Sequence, residues 1–303
     1  MTLRGQLVLL VFATLVPVLA FTGFAAMQVV RHEFDSTKRS AQDRARAVMT
    51  AIDARAQGHV TALEVLASSS LLTRGNLRAF HADAADALAS QPDWASLRLA
   101  APSGEVLFDA AKPFGTRSPS IEDEAALGRA LTQQKASFGA VVRSAAREEP
   151  VLSIDLPVVR RGKVPYVLSL LVKPESFRAP IEAQRSPQGS VSGLTDADGR
   201  FIARIPPRPM GSLSGEGFRK AVSQAPEGWY RSVSIEKVHN YTAHVTSSLT
   251  GWHLGLAIPT SIIDQPMERA ATAMGAGALL SILVALGVAF WLGRRIAAPI
   301  EDG

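Results

Sequence analysis

Apolar and polar positions divide this chain into three parts. Residues 5–30 and 270–293 contain no Asp, Glu, Lys or Arg. Either run can cross a membrane as a helix, because a hydrocarbon core of about 30 Å needs roughly 20 residues at about 1.5 Å rise per residue. Residues 31–269 between them are polar and too numerous for a re-entrant loop, but suit one or two domains. Within them, residues 31–70 lack Pro and carry apolar or small residues mostly three or four apart, at Val30, Phe34, Ala41, Ala45, Val48, Ile52, Ala56, Leu63 and Leu66. That spacing predicts one long amphipathic helix continuing the first run, with Gly58 and His59 interrupting its stripe.

Beyond residue 70 the period changes to that of strands, and a scheme repeats. Residues 97–108 read strand, turn at Ser103-Gly104, strand; residues 191–202 read the same way with the turn at Asp198-Gly199. In each hairpin a glycine supplies the positive φ of a tight turn. Each is followed by a loop with Pro and Gly, a helix (residues 121–134, then 214–223) and a strand meander with turns at Arg161-Gly162 and near Thr250-Gly251. The pattern predicts an α+β fold of two tandem modules, each an antiparallel sheet with helices.

Charge orients the chain. Arg4 precedes the first run and Arg294 and Arg295 follow the second. Basic short flanks stay in the cytoplasm while a long loop is translocated largely regardless of its charge, so residues 31–269 are expected outside. The first run exceeds a signal peptide's 7–15 apolar residues and ends without an Ala-x-Ala site, so an uncleaved anchor is expected. The net charge of +5 comes from scattered residues, not a basic cluster interleaved with aromatics, which argues against nucleic acid. Cys is absent, which removes disulfides and thiolate chemistry.

Catalytic patterns are missing. Neither Gly-x-Ser-x-Gly, nor His-Glu-x-x-His, nor a phosphate-cradling glycine loop occurs; Gly211-Ser-Leu-Ser-Gly215 lacks the following Lys and reads as a turn. His239 and His244, five apart on a strand, fall on opposite faces, so neither a metal nor a cofactor is expected. Glu148-Glu149 and the Asp196/Asp198 pair read as solvated acids in turns or at strand ends.

Taken together with Phe114-Gly-Thr-Arg-Ser-Pro119, residues 156–169, Gly251-Trp-His-Leu-Gly-Leu-Ala-Ile-Pro259 and the closing Gly293-Arg-Arg-Ile-Ala-Ala-Pro-Ile300, this order of elements resembles the double Cache sensor of bacterial transmembrane receptors. It is most similar to those of sensor histidine kinases, and residues 294–303 look like the opening of a HAMP linker. The resemblance implies two PAS-like modules on a stalk helix: a cytoplasmic start (1–4), a span (5–30), the stalk (31–70), a membrane-distal module (71–180), a membrane-proximal module (181–265), a second span (270–293) and the linker. It further implies residence in the bacterial inner membrane, a small ligand in the distal module and a homodimer paired through the stalk stripe. Output would come from a region beyond Gly303; a tether without output, or the sensor of a chemoreceptor or cyclase, are the alternatives. Polar candidates for that pocket are Trp94, Arg98, Arg143, Asp155 and Tyr166. Arg98 and Arg143 would suit an anionic ligand such as a carboxylate. Amino-acid-recognising members carry an Arg-x-Trp-Tyr run after the first hairpin; residues 109–117 here do not, so a free amino acid is not expected to bind in that mode.

Overall fold

A computed structural model describes residues 3–143, 149–184 and 186–297. The end of the HAMP-like stretch (residues 298–303), the first two residues and Glu148 lie outside the described residues. Helix α1 runs unbroken from Leu3 to Ala67, with Pro17 inside it. Short α2 (Ser70–Thr73) and α3 (Leu77–Ser90) follow, each started by a side-chain cap, Ser69 for α2 and Asn76 for α3. Strands β1 (Trp94–Ala100) and β2 (Val106–Asp109), helix α4 (Glu124–Gln133), then β3 (Ser137–Arg143), β4 (Pro150–Arg160) and β5 (Lys163–Val172) complete a sheet in the order β2-β1-β5-β4-β3. After α5 (Arg178–Glu182) the scheme recurs. Strands β6 (Val191–Thr195) and β7 (Phe201–Ile205), helix α6 (Glu216–Gln224), then β8 (Glu227–Val233), β9 (His239–Thr246) and β10 (His253–Pro259) form a sheet ordered β7-β6-β10-β9-β8. The fold is therefore α+β with two antiparallel five-stranded sheets in tandem, as the repeat predicted. The hairpin glycines sit where positive φ is needed, Gly104 at +88° and Gly199 at +78°.

The chain divides into two compact units, residues 40–259 and a second made of residues 1–39 with 260–303. In the second unit, α7 (Thr260–Ala297) contains a stretch, Thr260–Val288, long and apolar enough to cross a membrane. It begins directly at Thr260, so the residues ahead of the second apolar run are already helical and carry Pro266 inside the helix.

Within residues 40–259, the α1 stripe meets its own sheets. Ala41, Ala45, Val48, Ile52, Ala56 and Leu63 are all at most 2% exposed. This corrects one expectation: the middle of the stripe is covered by the chain itself, so Ala41, Val48 and Ile52 are not available for pairing with a second copy. A partner copy would have to use another face of the helix. His59, read as a gap in the stripe, belongs to it. Its Nδ1 accepts a hydrogen bond from the Trp94 indole at 3.0 Å, and Phe177 packs edge-on to it. Burial and the Arg55 cation lower the His59 pKa, in keeping with a neutral ring acting as acceptor.

The first sheet is buried on both faces, β4 almost throughout. One face carries the register row Leu97, Leu170, Ile154 and Phe138, met by Phe80 of α3 through Phe108. The two modules share a seam. Trp252 packs edge-on against Phe177 and Phe138, with ring centroids 4.9 and 5.8 Å apart, and Asp196 Oδ2 accepts from the Val141 amide at 2.9 Å. Asp196 is thus no solvated turn acid. It is 1% exposed, and its other oxygen accepts from the Asp198 and Arg200 amides.

Candidate functional site

The face of the first sheet towards α4 breaks the apolar pattern. Direct cross-strand neighbours share a face, and the register runs Asp109 (β2), Arg98 (β1), Ser169 (β5), Asp155 (β4), Ser137 (β3). All five are buried, Asp155 at 0% and Arg98 at 1% exposure. A polar row thus crosses the whole sheet. Two residues away along their strands, and so on the same face, Ser96 donates to Asp109 Oδ1 at 2.6 Å and Ser153 to Asp155 Oδ2 at 3.3 Å.

The segment before α4 closes over this row. Glu122 Oε2 accepts from Arg98 Nη1 at 2.7 Å, while Arg98 Nε lies 3.6 Å from Asp109 Oδ2, too long for a hydrogen bond. Asp123 caps α4 through Oδ1 on the Ala126 amide and reaches β3 through Oδ2 on the Ala140 amide, at 2.9 and 2.8 Å. The fit is tight: a Cβ on Gly139 would lie 2.2 Å from Ser153 Oγ and 2.7 Å from Asp123 Oδ2. From α4, Arg129 donates to Ser137 Oγ at 3.3 Å and to the Phe138 carbonyl at 2.9 Å.

Electrostatically the site is acidic. Asp109, Glu122, Asp123 and Asp155 face two guanidiniums, Arg98 and Arg129, and Arg98 is held by Glu122. Burial pushes the Asp155 carboxyl up to about 7; the Ser169 and Ser153 hydroxyls offset this in part, while Asp123 and Glu122 add to it. Asp155 Oδ1, Glu122 Oε1 and Arg98 Nε are buried without a hydrogen-bond partner. Such groups are costly to leave unmet in a folded interior. The arrangement can give up a proton at Asp155, whose Oδ1 is left to accept a hydrogen bond.

Of the residues predicted from sequence, the structure places Arg98 and Asp155 in one register row, with Ser169 between them. Trp94 is engaged with His59. Tyr166, half-buried opposite Val158, belongs to the other face of the sheet, and Arg143 is exposed at the end of β3 beside Pro150. Asp109, Glu122, Asp123 and Ser169 were missed. For Ser169 a signal was present, a polar residue inside a largely apolar strand, as in Ser96-x-Arg98 and Ser153-x-Asp155 of its neighbours; Glu122 and Asp123 lie in the loop before α4 and left none.

No family model and no curated protein matches the sequence. Solved structures do match. The extracellular domain of a protein described as the histidine kinase rpHK1S-Z16 superposes with a TM-score of 0.59 at 17% identity, covering 78% of this chain and 98% of that one. The ligand-binding domain of the Campylobacter jejuni chemoreceptor Tlp3, solved with L-norvaline, gives 0.60 at 14% identity over 78% and 95%. That of the Pseudomonas aeruginosa PAO1 amino acid chemoreceptor PctB, solved with L-Arg, gives 0.54 at 13% over 74% and 96%. About three-quarters of the chain therefore shares its fold with these domains, and the likeness to double Cache sensors drawn from the sequence holds at the level of fold. The matched domains are sensor and ligand-binding domains.

Proposed function

We propose that this chain is the extracytoplasmic ligand-sensing and transmembrane-signalling part of a bacterial receptor of the sensor histidine kinase type. Residues 5–30 and 270–293 anchor it in the inner membrane, with both ends in the cytoplasm. Large apolar side chains left uncovered on the helices, among them Phe21, Phe24, Leu279 and Leu280, each above 60% exposed, favour a lipid environment over water. A single-cysteine Arg117→Cys protein, made in a chain free of native Cys, tests the topology: a membrane-impermeant maleimide labels it in spheroplasts, and failure to label contradicts the reading.

The ligand of this reading sits on the Arg98–Asp155 row of the first module, taken in this reading as the membrane-distal one. The carrying observation is the fully buried, charge-unbalanced row with unmet acceptors at Asp155 and Glu122. It favours a small molecule bearing an ammonium group over the anionic ligand suggested by the arginines alone, since Arg98 is already taken up by Glu122. The amino acids solved with Tlp3 and PctB each carry such a group. Entry requires the 121–123 segment to move, and that segment adjoins β3, whose Val141 amide is held by Asp196 of the second module. Ligand binding that favours one arrangement of this seam over the other biases the second module and α7 beyond it.

A thermal-shift screen of the full chain in nanodiscs against small primary amines and matched carboxylates tests this ligand class. At about a hundredfold excess over Kd, a binder of the folded state adds about 2.7 kcal/mol. Amines are expected to raise the melting temperature of wild type and to lose that effect in Asp155→Asn. Shifts from carboxylates alone would overturn the assignment.

A further inference from the structure

The second module repeats the row with opposite chemistry. Arg98 lies six residues before its hairpin glycine and Asp109 five after it; by the same count from Gly199 the equivalents are Gly193 and Arg204. The register continues Gly193, Gly255 (β10), His244 (β9), Gly228 (β8), which places three glycines in one row. Glycine inside a strand often marks close approach of another group. Here the Phe218 ring comes within 2.6 Å of where a Gly255 Cβ would stand, and Phe201 within 3.0 Å of one on Gly193.

These rings fill the missing bulk only in part. A cavity of about 80 Å³, open to solvent at its mouth, remains against Val191, Phe201, Phe218, Tyr230, Asn240 and Ala257. Its charge is cancelled: Arg204 Nη2 donates to both carboxylate oxygens of Glu236, at 2.7 and 2.8 Å, and Nη1 donates to the Pro206 carbonyl at 2.8 Å. Its hydroxyls are largely paired, with Ser232 and Thr242 2.8 Å apart. Two buried oxygens are left. Asn240, 1% exposed, donates through Nδ2 to the Val238 carbonyl at 2.8 Å, which fixes the amide and leaves Oδ1 without a partner; Ser214 Oγ is likewise unmet. At the mouth Val233 and Ile235 are uncovered, 54% and 37% exposed.

We propose that this cavity is a second ligand site, for a small, uncharged, largely apolar molecule carrying one hydrogen-bond donor, of the phenol or indole class. Apolar walls take the ring, Asn240 Oδ1 accepts from the hydroxyl or N–H, and the neutralised Arg204 gives an anion no advantage. The site is separate from the Arg98–Asp155 row and does not depend on it.

Calorimetric titration of the full chain in nanodiscs with p-cresol tests it, with Ala257→Leu, which fills the cavity, subtracting partition into lipid. Saturable binding is expected in wild type, weakened at least about tenfold in Ala257→Leu. Toluene, lacking the donor, and p-toluate, carrying a charge, are each expected about tenfold weaker, the worth of roughly one hydrogen bond. Equal isotherms for wild type and a folded Ala257→Leu protein would overturn the site, and equal affinity for toluene and p-cresol would overturn the role of Asn240. If Ala257→Leu does not fold, wild type is photolabelled with a diazirine-bearing phenol. Label within residues 213–242 supports the site, and label confined to residues 3–30 and 260–297 overturns it.

Discussion

The two sheets share one topology and fill one face in opposite ways. In the first, the row facing α4 holds buried charge, and the space over it is closed by Glu122 and Asp123. In the second, three of the five matching positions are glycines, two of them under phenylalanine rings, the other two are Arg204 and His244, and an open apolar cavity remains. The difference teaches that the fold supplies a frame while side chains on alternate strand positions decide what it can hold. A charged interior suits a ligand that completes an ionic network; an empty apolar one suits a ligand that supplies bulk.

The largest effect expected is from removing the central charge of the first row. Arg98→Ala leaves Glu122 and Asp109 facing a buried gap and should cost about 3–5 kcal/mol, as breaking a buried pair does. Denaturant unfolding followed by tryptophan fluorescence measures it. In the second module Arg204→Ala, at the position matching Asp109, should cost clearly less, because the Glu236 side chain is 35% exposed and can rehydrate. Equal losses would erase the contrast between the modules.

Next in size is the pH dependence set by Asp155. Its folded pKa is raised to about 7 from 3.8. Its contribution to stability is therefore complete below about pH 4 and is lost as pH rises through 7. Wild type should lose on the order of 4 kcal/mol relative to Asp155→Asn between pH 4 and pH 8. Parallel stability curves for the two proteins would show that Asp155 is already ionised in the folded state.

Gly255→Ala comes third. The new methyl collides with Phe218, and overpacking of this kind costs about 1–3 kcal/mol. It should also weaken p-cresol binding by driving the ring into the cavity. At the matching place in the first sheet, Ser169→Ala should change stability by less than about 1 kcal/mol and move the Asp155 titration further upward. NMR titration of the Asp155 carboxyl carbon reads that shift, and a downward movement would contradict the row as described.

Much of the architecture could be read from the chain. The hairpin glycines Gly104 and Gly199, the repeat and the helical stripe from Ala41 to Leu63 are local signals, and local signals survive into structure. The site was legible only in part. Arg98 and Asp155 stood out as charges in apolar strands, but their sharing one row depends on the register with Ser169, a pairing between distant segments that spacing does not encode. Trp94 and His59 show the same limit: each looked anomalous alone, and together they satisfy one another. The stripe was correctly seen as apolar, yet an apolar face does not say what covers it, and here it is the chain's own sheets. The second cavity left a trace in Gly193, Gly228 and Gly255 inside strands, legible once strand interiors are scanned for residues without side chains.

The central claim is that a cation-bearing ligand completes the Arg98–Asp155 row. With a carboxyl titrating near 7, about nine-tenths of Asp155 is protonated at pH 6, and a bound ammonium must displace that proton. Calorimetry of the best-binding amine at pH 6, in buffers of different ionisation enthalpy, should report close to one proton released per ligand in wild type and none in Asp155→Asn. Binding with no net proton release from wild type would contradict the account.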